Sequence, residues 1–346
     1  MVLLSIGVLT LIETIATFFW VFILTTLGLY GYIRVAHRRR ILARDAHKLG
    51  ETLVADRGGI IMFFIPLFAL PLLLTRATID YPILEIYLAL VLSVCIGAII
   101  GLIDDFKDLK LKKALMVAGA GLPIIILKTY CPRPYIPFLG RTLMTIVYIL
   151  FILILFSVFS DACNMIDIFN GVLIGQGIAI LLPILILAIL YNSNIGMILA
   201  AIGLGYSLGF LVWNRYPARV FHGNVGAYGY GSMISAIIIL SALEIRGVEF
   251  VSVVAFLPAV FNGFLYVFNT RFAPRSKLAR ERKPVTYRDG YLSINPDPNA
   301  AINLTRLLLL YGKLSEKQLI CLYYLLFAVA SLLAMITGLL IFYHFI

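Results

Sequence analysis

Three polar residues at regular spacing interrupt the apolar middle of the chain. Asn164, Asp167 and Asn170 lie three residues apart within SDACNMIDIFNG, between the apolar runs 142–159 and 172–191. On a helix this spacing would keep all three oxygens on roughly one face. Asp and Asn are poor helix formers that cost stability unless they cap a helix or bind something. We therefore expect these side chains to hold a hard cation or a polar ligand where a helix ends.

A pair of carboxylates follows an earlier apolar run. The sequence GLIDDFKDLKLKK places Asp104 and Asp105 near the carboxyl end of a predicted helix. The helix dipole disfavours negative charge there by about 0.3–1 kcal/mol per residue. Two interpretations stay open: local pairing with a lysine, or a carboxylate pair that binds a metal or takes a proton. The lysines available for pairing are Lys107, Lys110, Lys112 and Lys113.

Glycines and polar residues begin two other apolar segments. In FHGN, Gly223 lets a ligand approach the backbone, and His222 and Asn224 place polar groups at a predicted helix start. Close packing against neighbouring helices is the other interpretation. An earlier loop contains Asp45 and Lys48 and ends in DRGGI, whose glycines leave backbone amides near a helix start, where phosphate binds readily. Both segments are candidate ligand sites.

The longest polar segment, 271–317, carries a compact basic cluster. Its RERKP sequence supplies Arg280, Arg282 and Lys283, which suit phosphate oxygens because arginine offers forked donors and lysine a point charge. A solvated or lipid-facing surface is the alternative. Further along, AAINLTRLLLLYG is predicted to form a helix that lies flat in a membrane interface.

The elements that must position these residues are membrane helices. Of the 346 residues 62% are apolar, which is typical of a polytopic membrane protein. Continuous apolar runs predict an all-α fold with about ten transmembrane helices, in one integral membrane domain covering 1–346, and alternating barrel strands are disfavoured. The predicted spans are 5–33, 59–76, 82–103, 114–130, 142–160, 170–191, 195–213, 226–245, 249–270 and 318–344.

Positive charge is concentrated in every second gap between the spans. All but five of the 28 Lys and Arg lie in one alternating set of gaps, which the positive-inside rule assigns to the cytoplasm. Both termini are then outside, and the polar segments form one composite site on the cytoplasmic face. The four cysteines have no paired spacing, so neither a disulfide framework nor a zinc site is predicted.

The polar residues together describe phosphoryl transfer. Carboxylates and amides suit Mg²⁺, which takes oxygen ligands and usually keeps substrate phosphates. Basic groups suit a diphosphate, and a site in a membrane implies a lipid substrate. The candidate oxygen ligands are Asp104, Asp105, Asn164, Asp167 and Asn224. The candidate phosphate-binding cations are Lys113, Arg280, Arg282 and Lys283.

These segments resemble the polyprenyl-phosphate N-acetylhexosamine-1-phosphate transferases. Within that family the similarity is to the dolichyl-phosphate GlcNAc-1-phosphotransferases of eukaryotes and archaea. It covers most of the chain and rests on ten spans with outside termini and on GLIDDFKDL with its basic stretch, NMIDIFNG, FHGN and RERKP. The resemblance implies that a dolichyl or related polyprenyl phosphate attacks the β-phosphorus of UDP-GlcNAc and releases UMP, the first membrane step of lipid-linked oligosaccharide synthesis for N-glycosylation.

The resemblance also implies roles for individual residues. Carried over by position, Asp167 and Asn224 would bind Mg²⁺, with Mn²⁺ as an alternative, and Phe221 would pack on the uracil. Arg280 and Arg282 would hold the diphosphate. The further implied partners are membrane lipid and a second copy of the chain in a homodimer, with no nucleic acid. In an archaeon the enzyme would lie in the plasma membrane.

The acceptor phosphate would meet three charged residues. By the same resemblance Lys113 would neutralise it, while Asp104 and Asp105 would orient it or take its proton. Base catalysis is not required, because a phosphate monoester with a second pKa near 6 is already largely ionised. The remaining substrate-binding residues on this interpretation are Lys48, Asn164, Asn170, Gly223 and Lys283.

Two departures from the family pattern and two alternative functions stay open. The family usually has Asn where this chain has Asp167 and Asp where it has Asn224, so one carboxylate and one amide remain. Glu281 stands where a histidine is common. The same chemistry with another UDP-HexNAc or undecaprenyl phosphate is one alternative. A secondary transporter coupled through Glu13 and Asp167 is the other, although the polar residues gather at one face and no inverted repeat is evident.

Overall fold

The computed structural model describes residues 8–45, 48, 52–74, 82–107, 109, 112–272 and 276–345. Within these ranges the chain forms a bundle of helices, eight of which are long and apolar enough to cross a membrane. In chain order the helices are α1 (Val8–Arg39), α2 (Ile65–Phe68), α3 (Leu70–Leu74), α4 (Ile83–Phe106), α5 (Lys112–Ala118), α6 (Leu122–Ile126), α7 (Thr145–Ile166), α8 (Val172–Leu190), α9 (Asn194–Asn214), α10 (Gly223–Ser241), α11 (Val248–Val267), α12 (Ser276–Glu281), α13 (Leu304–Leu308) and α14 (Glu316–Phe342). The eight long ones are α1, α4, α7 to α11 and α14.

Three short antiparallel hairpins amend the prediction of an all-α chain. They pair β1 (Leu42–Arg44) with β2 (Leu53–Ala55), β3 (Tyr135–Ile136) with β4 (Gly140–Arg141), and β5 (Val285–Arg288) with β6 (Tyr291–Ile294). All lie in segments that join the long helices, where two to four residues per strand are too few for a clear period-2 pattern. The fold is nevertheless mainly helical, as predicted.

Two of the ten predicted spans are broken into short helical pieces. A 3-10 segment at Gly58–Phe64 precedes α2 and α3, and another at Gly119–Gly121 separates α5 from α6. Prolines at the second position of α2 and of α6 lack an amide donor and so favour a new helix start at these points. Within the described residues, eight uninterrupted helices are therefore long and apolar enough to cross a membrane. A total of ten spans stays a prediction.

The segment that follows α1 contacts the start of α14 at one end of the bundle, which we call the polar end. The ammonium of Lys48, shortly after α1, bonds the carboxylate of Glu316 at the start of α14. At the other end of α14, His344 contacts Arg246, which lies in the connection after α10. Arg246 Nη1 is 3.0 Å from His344 Nδ1. The start of α1 and the end of α14 thus lie away from the polar end.

Helices α4 and α10 pack at unusually short distance. A methyl group added to Gly101 of α4 would lie 2.2 Å from the carbonyl oxygen of Asn224. One added to Gly59 would lie 2.0 Å from the Cα of Gly226 in α10. Small residues let helix backbones approach this closely. Close packing is therefore observed at Gly226 of α10, while Gly223 stays a predicted ligand contact. This packing holds the start of α10 against the end of α4.

We expect Gly101→Ala to destabilise the protein by about 1–3 kcal/mol, because the added methyl meets fixed backbone. Thermal unfolding of the detergent-purified protein measures this change. Gly31→Ala is the matched control, since a methyl there has no neighbour within 4 Å among the described residues. Equal melting temperatures for the two variants would show that α4 and α10 are not closely packed.

Candidate active site

Helix α7 ends at Ile166, so the polar residues of NMIDIFNG do not share one helix face as predicted. Asp167 leaves the helix with φ −76° and ψ 56°, and the turn closes at Gly171 with φ +81°, where glycine avoids the strain of a side chain. The Gly171 amide donates to Asn214 Oδ1 at 3.0 Å. The turn nevertheless brings Asn164, Asp167 and Asn170 to one cavity.

We call this space the carboxylate cavity. It has a volume of about 340 Å³ at the polar end. Its lining residues are Arg44, Asp45, Asp56, Asn164, Asp167, Ile168, Phe169, Asn170, Asn214, Phe221, Gly223 and Asn224. The structure thus brings both predicted metal ligands and four of the predicted substrate-binding residues to one place.

The carboxylates of this cavity fit a divalent cation. Asp167 is 19% exposed and accepts no hydrogen bond from the described residues, and its closest basic nitrogen is His222 Nδ1 at 3.7 Å. Burial, and to a lesser degree the charge of Asp56, raises the pKa of Asp167 to about 7. A Mg²⁺ ion would offset this cost through oxygen ligands, which the cavity supplies from Asp167, Asp56, Asn164 and Asn224.

The candidate metal ligands are a mixture of carboxylate and amide oxygens. No group of three or more His, Cys, Asp and Glu side chains that could hold a metal occurs within the ranges that the structure describes. Amide oxygens would therefore have to complete the coordination of any ion beside Asp167. That composition agrees with Mg²⁺, which binds through one or two carboxylates plus water and substrate phosphates.

Asp104 is the centre of a hydrogen-bonded group beside this cavity. Its Oδ2 accepts from Lys113 Nζ at 3.1 Å and from Asn224 Nδ2 at 3.0 Å, and its Oδ1 accepts from the Leu109 amide at 2.8 Å. Of the two open interpretations, lysine pairing is therefore confirmed for Asp104, with Lys113 as the partner. Lys110, another predicted partner, lies outside the described residues. The bond to Asp104 aims the Lys113 ammonium at the polar end.

Asp105 contacts the start of α10. Its two carboxylate oxygens accept from the amides of Asn224 at 2.9 Å and Val225 at 3.0 Å. A carboxylate at a helix amino terminus meets unpaired amides and the positive end of the dipole. Arg57 Nη2 donates to the Asp105 carbonyl at 3.3 Å. Both carboxylate oxygens of Asp105 are thus already hydrogen-bonded to α10, and these bonds compete with the predicted contact to the acceptor phosphate.

One half-buried acidic residue in this region escaped the sequence analysis. Asp161 Oδ1 accepts from the Tyr228 hydroxyl at 2.9 Å, and that hydroxyl oxygen accepts from Asn164 Nδ2 at 3.3 Å. Lys113 Nζ lies 5.8 Å from the centre of the Tyr228 ring. Asp161 continues the three-residue spacing of Asn164 and Asp167, and this signal could have found it. Nothing in the sequence alone singles out Tyr228.

A second cavity adjoins the carboxylate cavity, and a groove adjoins that second cavity in turn. The second cavity, the lysine cavity, has a volume of about 560 Å³, contains Lys113 and Lys283, and shares Asn164 with the carboxylate cavity. The groove, the α7/α11 groove, measures about 340 Å³, is mostly apolar, and reaches Asp161. Met165 lines both the lysine cavity and the groove. An anionic centre, a cationic centre and an apolar channel therefore follow one another along α7.

The predicted basic residues of the loops differ in placement. Lys283 lines the lysine cavity, whereas Arg282 is more than half exposed and its Nε lies 3.4 Å from Asp297. The side chain of Arg280 lies outside the described part of the chain. Lys48 bonds Glu316 and lies 3.5 Å from Asp45 instead of lining either cavity.

Replacing the Asp105 carboxylate by an uncharged amide should lower the stability of the protein as well as its activity. We expect Asp105→Asn to destabilise the protein by about 1–3 kcal/mol, because an amide offers one acceptor oxygen to two amide donors. The readout is thermal unfolding without substrate. Asp289→Asn serves as control, since this carboxylate is 87% exposed and should be neutral. An unchanged melting temperature for Asp105→Asn would contradict the structural role.

Comparison with known proteins finds similar sequences. The profile of glycosyl transferase family 4 matches residues 87–242, which include most of α4, Lys113, the NMIDIFNG turn and FHGN. A protein of Sulfolobus acidocaldarius is 27% identical over 86% of this chain and 88% of its own length. It carries the provisional name UDP-N-acetylglucosamine–dolichyl-phosphate N-acetylglucosaminephosphotransferase.

Two more relatives extend the comparison. A Saccharolobus solfataricus protein with the same provisional name is 31% identical over 59% of this chain and 64% of its own length. A phospho-N-acetylmuramoyl-pentapeptide-transferase of Symbiobacterium thermophilum is 30% identical over 60% of this chain and 65% of its own. Together with the membrane helices and the polar cavities, these matches confirm the resemblance described from the motifs. Over residues 87–242 the chain is thus similar to glycosyl transferase family 4.

Proposed function

We propose that this protein transfers GlcNAc-1-phosphate from UDP-GlcNAc to dolichyl or another polyprenyl phosphate and releases UMP. The observation that carries this proposal is the succession of the carboxylate cavity, the lysine cavity and the α7/α11 groove along one helix. A metal-bound diphosphate, a second phosphate and a lipid chain need these three environments in this order. The similarity to the two archaeal relatives supports the choice of substrates.

The donor would occupy the carboxylate cavity. Mg²⁺, when bound, would neutralise the diphosphate and make its β-phosphorus a better electrophile. Asp167 and Asp56, with the amide oxygens of Asn164 and Asn224, are the groups that would hold the ion. Phe221 lines the same cavity and offers an apolar ring for the uracil. The predicted diphosphate contacts of Arg280 and Arg282 remain part of this proposal.

The acceptor phosphate would occupy the lysine cavity. Lys113, oriented by Asp104 at 3.1 Å, lowers the repulsion between the acceptor and the donor diphosphate. A phosphate oxygen then attacks the β-phosphorus, a new P–O bond forms, and the bond to the bridging oxygen breaks as UMP leaves. No proton has to be removed, because the acceptor is already largely ionised. Neither Asp104 nor Asp105 is needed as a base.

The lipid chain would lie in the α7/α11 groove. The groove is lined by apolar side chains of both helices, and Phe264, Phe268 and Phe272 at its edge are 49–74% exposed. Exposed aromatic rings at a lipid-facing surface leave a prenyl chain free to enter from the bilayer. An active site on the cytoplasmic face of the plasma membrane, and a homodimer, stay predictions.

A transporter fits the structure less well. Its two candidate coupling residues are Glu13, near the start of α1, and Asp167 at the polar end. Glu13 precedes the polar end of α1 by about 26 residues, which corresponds to about 39 Å of helix. Two carboxylates so far apart do not form one midplane site.

The direct test is UMP release by the detergent-purified protein. We expect Mg²⁺-dependent release from UDP-GlcNAc with dolichyl phosphate and none with EDTA, measured across a panel of UDP-sugars and prenyl phosphates. Release with a different donor or with undecaprenyl phosphate alone would change the substrates but keep the chemistry. No release with any pair would refute the transferase.

The exchanged metal pair has its own test. We expect Asp167→Asn to lower kcat/KM about 100-fold or more, because it removes the carboxylate that would hold the ion. In the double variant Asp167→Asn/Asn224→Asp a carboxylate returns on the other side of the cavity, and part of the activity should return. Full activity of Asp167→Asn in the UMP assay would contradict the metal role of this residue.

The raised pKa of Asp167 predicts a pH dependence of metal binding. The metal-free site holds a proton on this carboxyl below pH 7, and a cation must displace it. The apparent affinity for Mn²⁺ should therefore be about tenfold weaker at pH 6 than at pH 8. Titration of the protein with Mn²⁺ at both pH values measures the ratio. A ratio near one would mean that Asp167 is ionised throughout this range.

A further inference from the structure

His222 has no role in the chemistry derived above, yet its surroundings need an explanation. The imidazole is fully buried directly before α10. Neither ring nitrogen has a hydrogen-bond partner among the described residues. Buried polar groups are nearly always hydrogen-bonded, because an unpaired group has lost its bonds to water without replacement. A histidine with two unpaired nitrogens therefore points to a partner that becomes available when the site is loaded.

The position of the ring identifies this partner. Its plane stacks on Phe210, with centroids 3.7 Å apart and an angle of 10° between the rings. This stacking restricts the direction in which the ring nitrogens point. Nδ1 lies 3.7 Å from Asp167 Oδ2, slightly beyond the range of a hydrogen bond, which ends near 3.2 Å. A small movement of the Asp167 side chain would close this gap.

Among the described residues, Asp167 lacks a hydrogen-bond donor that would orient its carboxylate. Its carboxylate receives no hydrogen bond from the described residues, although it lines the carboxylate cavity. A carboxylate that binds a metal through one oxygen is usually held in orientation by a hydrogen bond to the other. A neutral imidazole carries a single N–H, and it can place this donor on Nδ1.

We propose that His222 is a positioning residue for the divalent cation, and that it donates a hydrogen bond from Nδ1 to Asp167 Oδ2 and leaves Oδ1 for the ion. This inference rests on the proposed function, because it requires Asp167 to be a metal ligand. It also explains why a polar residue occupies a pocket built for stacking. A phenylalanine at this position would stack on Phe210 equally well but could not hold the carboxylate.

Binding of Mn²⁺ to the full-length protein in detergent, followed by electron paramagnetic resonance, tests the proposal without substrate. His222→Phe keeps the stacked ring and removes the donor, and we expect its Mn²⁺ affinity to fall about tenfold. In His222→Asn the amide nitrogen stands near the position of Nδ1, so its affinity should stay within about threefold of the parent. Tyr230→Phe, which removes another buried polar group of α10, should bind Mn²⁺ like the parent.

A second readout separates positioning from packing. The Mg²⁺ concentration for half-maximal UMP release should rise in His222→Phe and not in His222→Asn, while the melting temperature without metal stays near that of the parent. If the Phe variant does not fold, His222→Gln replaces it, because its amide stands near Nε2, away from Asp167. Affinity lost in the Gln variant and kept in the Asn variant supports the proposal.

The remaining outcomes overturn it. Parent-like Mn²⁺ affinity in His222→Phe, or equal affinities in the Asn and Gln variants, would show that the ring is only part of the packing. In that case the parent protein still binds Mn²⁺ and the proposed function stands. If the parent itself binds no Mn²⁺ while it folds normally, the metal site of the proposed function fails, and the role of His222 fails with it.

Discussion

The contact between Asp105 and the first amides of α10 is the constraint on which the polar end depends. It joins residues 119 positions apart in the chain. A carboxylate at the carboxyl end of α4 and unpaired amides at the amino end of α10 are each unfavourable alone. Their contact at 2.9 and 3.0 Å offsets both costs. Because α10 begins there, the same contact sets the positions of Phe221, His222 and Asn224.

This arrangement also gives a physical reason for the exchanged residues of the metal pair. The side chain of Asn224 donates to Asp104, which already accepts from Lys113. An aspartate at position 224 would place a third carboxylate beside Asp104 and Asp105, with Lys113 and Arg57 as cations near them. An amide removes this repulsion and donates a hydrogen bond instead. The negative charge then returns across the carboxylate cavity at Asp167, next to Asp56.

The sequence predicted the membrane class and the gathering of the motifs well, because both follow from local patterns. Long apolar runs indicate helices, and the short polar segments between them have few places to go. The sequence could not predict the features that depend on contacts between residues far apart in the chain. The end of α7 at Ile166 depends on the Gly171 turn held by Asn214, and the role of Asp105 depends on α10. The hydrogen bond of Asp161 to Tyr228 likewise joins separate helices.

The bond between Lys48 and Glu316 has a consequence for how the protein is made. Lys48 also lies against Asp45, and Asn170 Nδ2 donates to Asp45 at 3.3 Å, so one wall of the carboxylate cavity is connected to the first turn of α14. Ribosomal synthesis produces α14 after all the other described helices. A nascent chain that has inserted every earlier helix therefore still lacks a closed wall. Assembly of the cavity is therefore tied to the synthesis of α14, and a chain released before α14 would lack this wall.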